Sequence, residues 1–332
     1  MHEGAPADPT IGELSEGEVL ARIAARTGRA AAALVGPGDD AAVVATPSGS
    51  VVATTDTLVH GPDFRLAWSS GYDLGWKAAA VNLADVAAMG ARPTALLVAL
   101  AMPNDTRISF VEALADGLRE ACDALAPGCA VVGGDLTVSA TLTLAITALG
   151  DLDGRAPVLR SGARPGDVVA VAGELGVAAR GLAILFDRFR DGSGAPVAVE
   201  GALLASGEHA ALRGQLRPSP PIGLGVMAAV AGAHAMMDVS DGLGLDARRM
   251  AESSRVTIDL DPAALGDDPV RAIEGGEDHA LLATFGDDVL PPGFRAIGRV
   301  VDRGEAPVTV AGLAYGGPGG WDPYRDWDSV SG

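Results

Sequence analysis

Aspartates recur in five short motifs, most of them glycine-flanked: Gly38-Asp39-Asp40, Thr55-Asp56-Thr57, Asn82-Leu83-Ala84-Asp85, Gly133-Gly134-Asp135 and Asp238-Val239-Ser240-Asp241-Gly242. One loop aspartate alone is a turn former or a helix cap. Five of them, several after strand-like runs, point to a shared cation site. Mg²⁺ prefers carboxylate oxygens and works beside substrate phosphates, so the chemistry implied is phosphoryl transfer or phosphate activation on several Mg²⁺ ions. Lys77 is the only lysine among the 24 Lys and Arg residues. There is no G-x-x-x-x-G-K-[ST] loop and no V-A-I-K or H-R-D-L pattern. Lysines therefore cannot neutralise a bound nucleotide, whereas aspartate-held metals with arginine help can.

The motifs need elements to position them. Ser15-Glu16-Gly17-Glu18 reads as a capping box opening a helix to about Thr27. Strands are expected at 41–45 and 51–55, the second ending in Thr54, Thr55 and Asp56. Strands usually exclude aspartate, so metal binding or a plain strand terminus would explain Asp56. Residues 72–89 carry helical periodicity and stop at Gly90, a C-cap. In that helix Asn82 and Asp85 share a face at i,i+3, where burial without partners is costly; Lys77 would salt-bridge, touch a phosphate or lie on the surface. A buried strand (94–101), a helix (108–125) and strands at 130–132 and 142–148 follow. Two glycines at 133–134 let backbone N–H groups approach an anion. Beyond the Gly/Pro/Arg-rich segment 151–166 the pattern restarts with a strand (168–172), helices (176–187, 199–211, 223–232) and the strand 234–238. Asp238 and Ser240 then share one strand face, and Asp241 opens a helix running to about Ser253, a corner suited to anion and metal. Strands at 256–260, 280–284, 296–301 and 307–310 complete an α/β (α+β) alternation. The division expected is a flexible arm (1–14), an N-terminal unit (15–150) and a C-terminal unit (151–332).

Composition sets outer limits. A net charge of −19 argues against nucleic acid and anionic membranes as partners. Cys122 and Cys129 make neither a zinc pattern nor a disulfide framework, and the first residues show no signal peptide, so a cytoplasmic protein is expected. The five histidines form no ligand spacing.

In combination and order, the stretches 36–43, 54–59, 77–93, 133–137, 160–167, 237–243 and Gly275-Gly276-Glu277-Asp278 resemble the thiamine-monophosphate kinase family, of the aminoimidazole-ribonucleotide synthetase and selenophosphate synthetase superfamily. The resemblance spans roughly residues 12–327. It implies a two-domain fold, a homodimer built through the N-terminal halves, and transfer of the ATP γ-phosphate onto thiamine monophosphate. It also implies Mg²⁺ ligands at Asp40, Thr54, Thr55, Asp56, Asp85, Asp135, Asp238 and Asp241, with Asp56, Asp135 and Asp241 as the catalytic set. ATP contacts would be Gly134, Asp135, Arg160 and Ser240. Glu277 and Trp321 would bind the acceptor. Asp63 stands near the place where the family usually has a histidine, and is expected to meet the acceptor's cationic ring. His279-Ala280 and Pro323-Tyr324 also depart from the family's usual Tyr-Glu and His-Phe. Two other readings stay open at this point: another ATP-dependent synthetase of the superfamily, or a non-catalytic Mg-nucleotide-binding protein. Selenophosphate synthesis would need a Cys or selenocysteine near the N-terminus, and the first cysteine is Cys122. Crowded carboxylates without cations repel, which disfavours a site that holds none.

Overall fold

The structure is a computed structural model; it describes residues 8–36, 41–286 and 290–321. Of the segment 1–14, residues 8–14 are described. They lie against the start of the second long helix, with Ile11 buried and its N–H donated to Thr106 O. Helix α1 (Glu16–Ala24) starts at the expected capping box: Glu18 accepts the Ser15 N–H at 2.8 Å and Ser15 Oγ accepts the Glu18 N–H at 3.3 Å. A short antiparallel pair, β1 (Ala33–Val35) and β2 (Val43–Val44), precedes the first main sheet.

That sheet holds β3 (Val52–Val59), β4 (Arg92–Met102), β5 (Val131–Val138) and β6 (Thr143–Asp151) in the order β3-β6-β4-β5. Helices α2 (Gly71–Ala88) and α3 (Ile108–Leu125) cover one face. They cross closely because a Cβ at Gly75 would stand 2.0 Å from Leu114 O and one at Gly117 2.1 Å from Tyr72 O. The other face is covered at one end by the β1–β2 region, through Ala33 and Val44 against Ala95, Val132 and Leu149. Elsewhere, among the described residues, side chains such as Thr55, Thr57, Ala99 and Asp135 are exposed on it. Helix α2 is buried almost all round, as suits a core helix: beyond β3, β4 and β6 it also packs against the second half.

The second half is built on seven strands: β7 (Val168–Ala172), β8 (Ala235–Val239), β9 (Thr257–Leu260), β10 (Ala280–Phe285), β11 (Arg295–Val301), β12 (Val308–Val310) and β13 (Leu313–Ala314). Their order is β13-β12-β9-β11-β7-β10-β8. Helices α4 (Val177–Arg188), α5 (Ser206–Leu216), α6 (Ile222–Val230), α7 (Leu243–Ser254) and α8 (Pro269–Glu274) complete it. The contact of α6 with α2 is again backbone-close, a Cβ at Gly225 falling 2.1 Å from Ala87 O. No described helix is long and apolar enough to cross a membrane.

Three expectations change. β3 and β5 run on through Asp56 and Asp135, so these aspartates stand within strands rather than in turns after them. The helix expected over 199–211 lies at 206–216, after an irregular stretch with one 3₁₀ turn. Lys77 is buried rather than on the surface, while Asn82 is buried with hydrogen-bond partners.

Candidate active site

The open end of α2 collects carboxylates from three elements. β3 turns Thr54 and Asp56 toward α2, whose Asn82 and Asp85 face them. Thr54 Oγ1 donates to Asp85 Oδ2 at 2.7 Å, and the Asp56 N–H donates to Asn82 Oδ1 at 3.1 Å. Asn82 in turn donates to Ala78 O at 2.9 Å, so this 1%-exposed amide ties strand to helix. β8 brings Asp238, and β10 sets His279 beside it, Nδ1 to Oδ2 at 3.1 Å. Burial, and after it the charges of Asp238 and Asp56, push the Asp85 carboxyl up to about 7. Burial also raises Asp56, with Asp238 and Asp241 adding to the rise and His279 opposing it. Burial pulls His279 down, but the hydrogen bond and charge of Asp238, with Glu277, leave it above its ordinary value. The cluster is short of positive charge.

Asp241 closes one side. Arg249 Nη1 lies 2.5 Å from Asp241 Oδ2 and 2.6 Å from Oδ1 of the fully buried Asp246. Asp246 also accepts the Asp241 N–H at 3.1 Å. Burial first, then Asp238 and Asp241, raises Asp246 to about 7.

The 275–279 turn carries Glu277, the residue expected on the acceptor side. Lys77 Nζ pairs with Glu277 Oε1 at 2.9 Å, and the Gln215 amide donates to Oε2. Burial raises the Glu277 carboxyl, but Lys77, by charge and hydrogen bond, and Gln215 bring it below its ordinary value. The neighbouring Asp278 has a different duty: it accepts the Gly176 and Ala178 N–H groups at 2.6 and 2.8 Å at the start of α4. Asp63 accepts the Val59 N–H at 2.7 Å, and its carboxyl is raised by burial. Trp321 is 44% exposed, with its N–H donated to Asp241 O at 2.9 Å. The Ser240 carbonyl accepts the Glu277 N–H at 2.7 Å.

Thr54, Asp56, Asp85, Asp238 and Asp241 are thus brought together. Other expected ligands are not. The Thr55 hydroxyl faces the open side of the sheet and donates to Ile146 O at 2.8 Å. Gly134 and Asp135 stand on β5, at the opposite edge from β3. Three strand spacings, roughly 14 Å, separate them from Asp56. Leu136 packs toward the helices, so Asp135, one residue earlier, points to the open face. Arg160 is exposed, and its carbonyl accepts the Ser254 hydroxyl at 3.0 Å. Asp40, Pro323 and Tyr324 lie outside the described residues. Among the described residues no group of three or more His, Cys, Asp or Glu side chains is placed to hold a metal ion by itself. The donors that do converge are hard oxygens starved of cation. That fits Mg²⁺ held by one or two carboxylates with waters and phosphate oxygens, not a full protein cage. His279, Gln215, Arg249 and Asp246 carried no readable motif signal. Lys77 did, as the one lysine in an otherwise apolar helix.

A four-stranded sheet with this helical cover, feeding aspartates to a second sheet's edge, defines a class of protein: the family model of the AIR synthase related protein, N-terminal domain, matches residues 38–152. The chain is also 43% identical to the thiamine-monophosphate kinase of Mycobacterium tuberculosis (strain ATCC 25618 / H37Rv), across 99% of this chain and 97% of that protein. It belongs to the thiamine-monophosphate kinase family. The solved thiamine-monophosphate kinase from Stenotrophomonas maltophilia K279a is 35% identical at a TM-score of 0.75, covering 91% of this chain and 98% of that one. AaThiL, solved in complex with AMPPCP and TMP, is 33% identical at a TM-score of 0.71, covering 85% and 90%.

The Asp85 shift has a sign that can be measured. Its carboxyl ionises near 3.8 in an unstructured chain and at about 7 when folded. Between those values the folded state holds the extra proton, so stability falls as pH rises. In chelator, Asp85→Asn should melt higher than wild type at pH 8, by on the order of 2 kcal/mol, and equally at pH 4. Equal melting at pH 8 would refute the crowding of these carboxylates.

Proposed function

We propose that this chain phosphorylates thiamine monophosphate, moving the γ-phosphate of ATP onto the acceptor's own phosphate to give thiamine diphosphate and ADP. The observation that carries this reading is the crowding of Asp56 and Asp85, both half-buried, with the buried Asp238. Such a set does not admit a polyphosphate unless cations come with it. Family membership and a relative bound to an ATP analogue and TMP supply the substrates. Mg²⁺, when bound, supplies charge neutralisation of the phosphate oxygens. The residues do the remaining work. Thr54 and Asn82 fix Asp85 and the Asp56 backbone, and His279 fixes Asp238. Glu277, Asp63 and Trp321 hold the acceptor, while Gly134, Asp135, Arg160 and Ser240 receive the nucleotide. An acceptor-phosphate oxygen attacks the γ-phosphorus in line as the bond to the ADP oxygen breaks. The attacking group is already an anion, so no general base is required, and catalysis is positioning plus electrostatics. No phosphoenzyme is needed. The N-terminal unit 15–150 and the C-terminal unit 151–332 would then share the site across α2. A cytoplasmic location fits two buried cysteines with no disulfide.

The placement of Asp135 supports a homodimer. It lies too far from Asp56 to serve the same ions within one chain, and it is exposed on its sheet face. A second copy laid on that face would bring its Gly134 and Asp135 to this chain's acidic cluster.

The deciding assay is ADP formation with thiamine monophosphate against a panel of other phosphorylated acceptors; no preference for thiamine monophosphate would refute the substrate. Asp56→Asn and Asp135→Asn should each lower turnover roughly 10²-fold or more. Mixed in co-expressed dimers they should recover about a quarter of wild-type activity, because half of random dimers are mixed and each has one intact site of two. No recovery would place both residues in one chain's site. Trp321→Ala should raise KM for thiamine monophosphate about tenfold, as loss of a cation–π contact predicts, leaving KM for ATP unchanged. Parallel shifts in both constants would make the residue structural.

A further inference from the structure

Glu277 is gripped by elements far apart in sequence. Lys77 on α2 meets Oε1 at 2.9 Å, and Gln215 on α5 donates to Oε2. Both partners are only 5% exposed. The backbone fixes a third side: Glu277 sits at φ 68°, in the left-handed region, with its N–H on the Ser240 carbonyl at 2.7 Å. Two features set this grip apart from ordinary packing. Lys77 is the only lysine in the chain, and a buried ammonium is tolerated only when paired. Gln215, moreover, leaves its own Oε1 without a hydrogen-bond partner among the described residues. An unmet buried carbonyl is unfavourable, yet turning the amide over would set that carbonyl against the carboxylate. The local structure keeps the donor on Glu277 and leaves the acceptor unmet.

We propose that Lys77 and Gln215 are positioning residues for acceptor recognition: they hold both oxygens of Glu277 so that its carboxylate meets thiamine monophosphate in one fixed orientation. This rests on the kinase reading above. Gln215 comes from α5, which carries none of the acidic motifs, so its loss leaves the cation cluster and the nucleotide side untouched.

Gln215→Leu preserves bulk and removes the donor. KM for thiamine monophosphate should rise about tenfold, as loss of one hydrogen bond to a charged group predicts. KM for ATP should stay within about twofold and kcat within about threefold, the signature of lost acceptor binding. In a Glu277→Gln background, adding Gln215→Leu should change the acceptor KM by less than about twofold, because the two residues act as one unit. An unchanged acceptor KM in a folded Gln215→Leu variant overturns the proposal, as do additive penalties in the double variant. If Glu277→Gln does not fold, the KM split of Gln215→Leu alone decides. A wild type that forms no ADP with thiamine monophosphate overturns the kinase reading and this proposal together. Normal wild-type turnover with additive penalties overturns only the positioning role.

Discussion

The fold is organised around a concentration of negative charge that it does not itself neutralise. Asp56, Asp85 and Asp238 arrive from β3, α2 and β8, and the charge of Asp238 adds to burial in disfavouring ionisation of Asp56 and Asp85. An exposed surface would relieve that repulsion through water; here the carboxylates are half-buried or buried beside α2. Apolar packing has to oppose the penalty. It does so through α2, whose buried residues join the first sheet on one side and β8, β10 and α6 on the other. The helix that carries Asp85 is therefore also the one packed between the first sheet and the second half. Its close crossings at Gly75 and Gly225 leave no room for adjustment.

The counter-charges are few, and each is bound to one task. His279 faces Asp238, Arg249 bridges Asp241 and Asp246, and Lys77 faces Glu277. None of the three meets Asp56 or Asp85 in an ion pair. This division separates the site into two chemistries. The cluster toward β3 gathers carboxylates, with His279 as the facing cation-forming group. In the corner toward α5, Lys77 offsets the charge of Glu277.

Much of this was legible in the sequence where local rules act alone. The Ser15 capping box and the stop of α2 at Gly90, with φ 72°, are local chemistry and stand where local chemistry put them. Asp238-Val239-Ser240-Asp241-Gly242 also forms the expected strand-to-helix corner, with β8 before it and α7 after it. What escaped depends on pairing between distant strands. Asp56 and Asp135 looked like turn residues because strands usually exclude aspartate and glycine. Pairing with Ile146 and Ala99 carries both strands straight through them. Gln215 escaped for the same reason. Its meaning lies wholly in a contact with Glu277, 62 positions away, and a glutamine in a helix carries no signal of its own.

The strand order settles one more question about how the motifs relate. β3 and β5 are the two edges of one sheet, so the first aspartate motif of this sheet and its last are as far apart as the sheet allows. Asp56 also faces the helices, whereas Asp135 faces the open side. Adjusting one loop does not bring them together, because both lie in hydrogen-bonded strands whose registers are fixed across β6 and β4. Sequence order made these motifs look like parts of a single cup. In the fold they lie on opposite faces and edges of one sheet. A reaction that used both would have to bring a second surface to the sheet, and among the described residues the part of its face beyond the β1–β2 region is exposed.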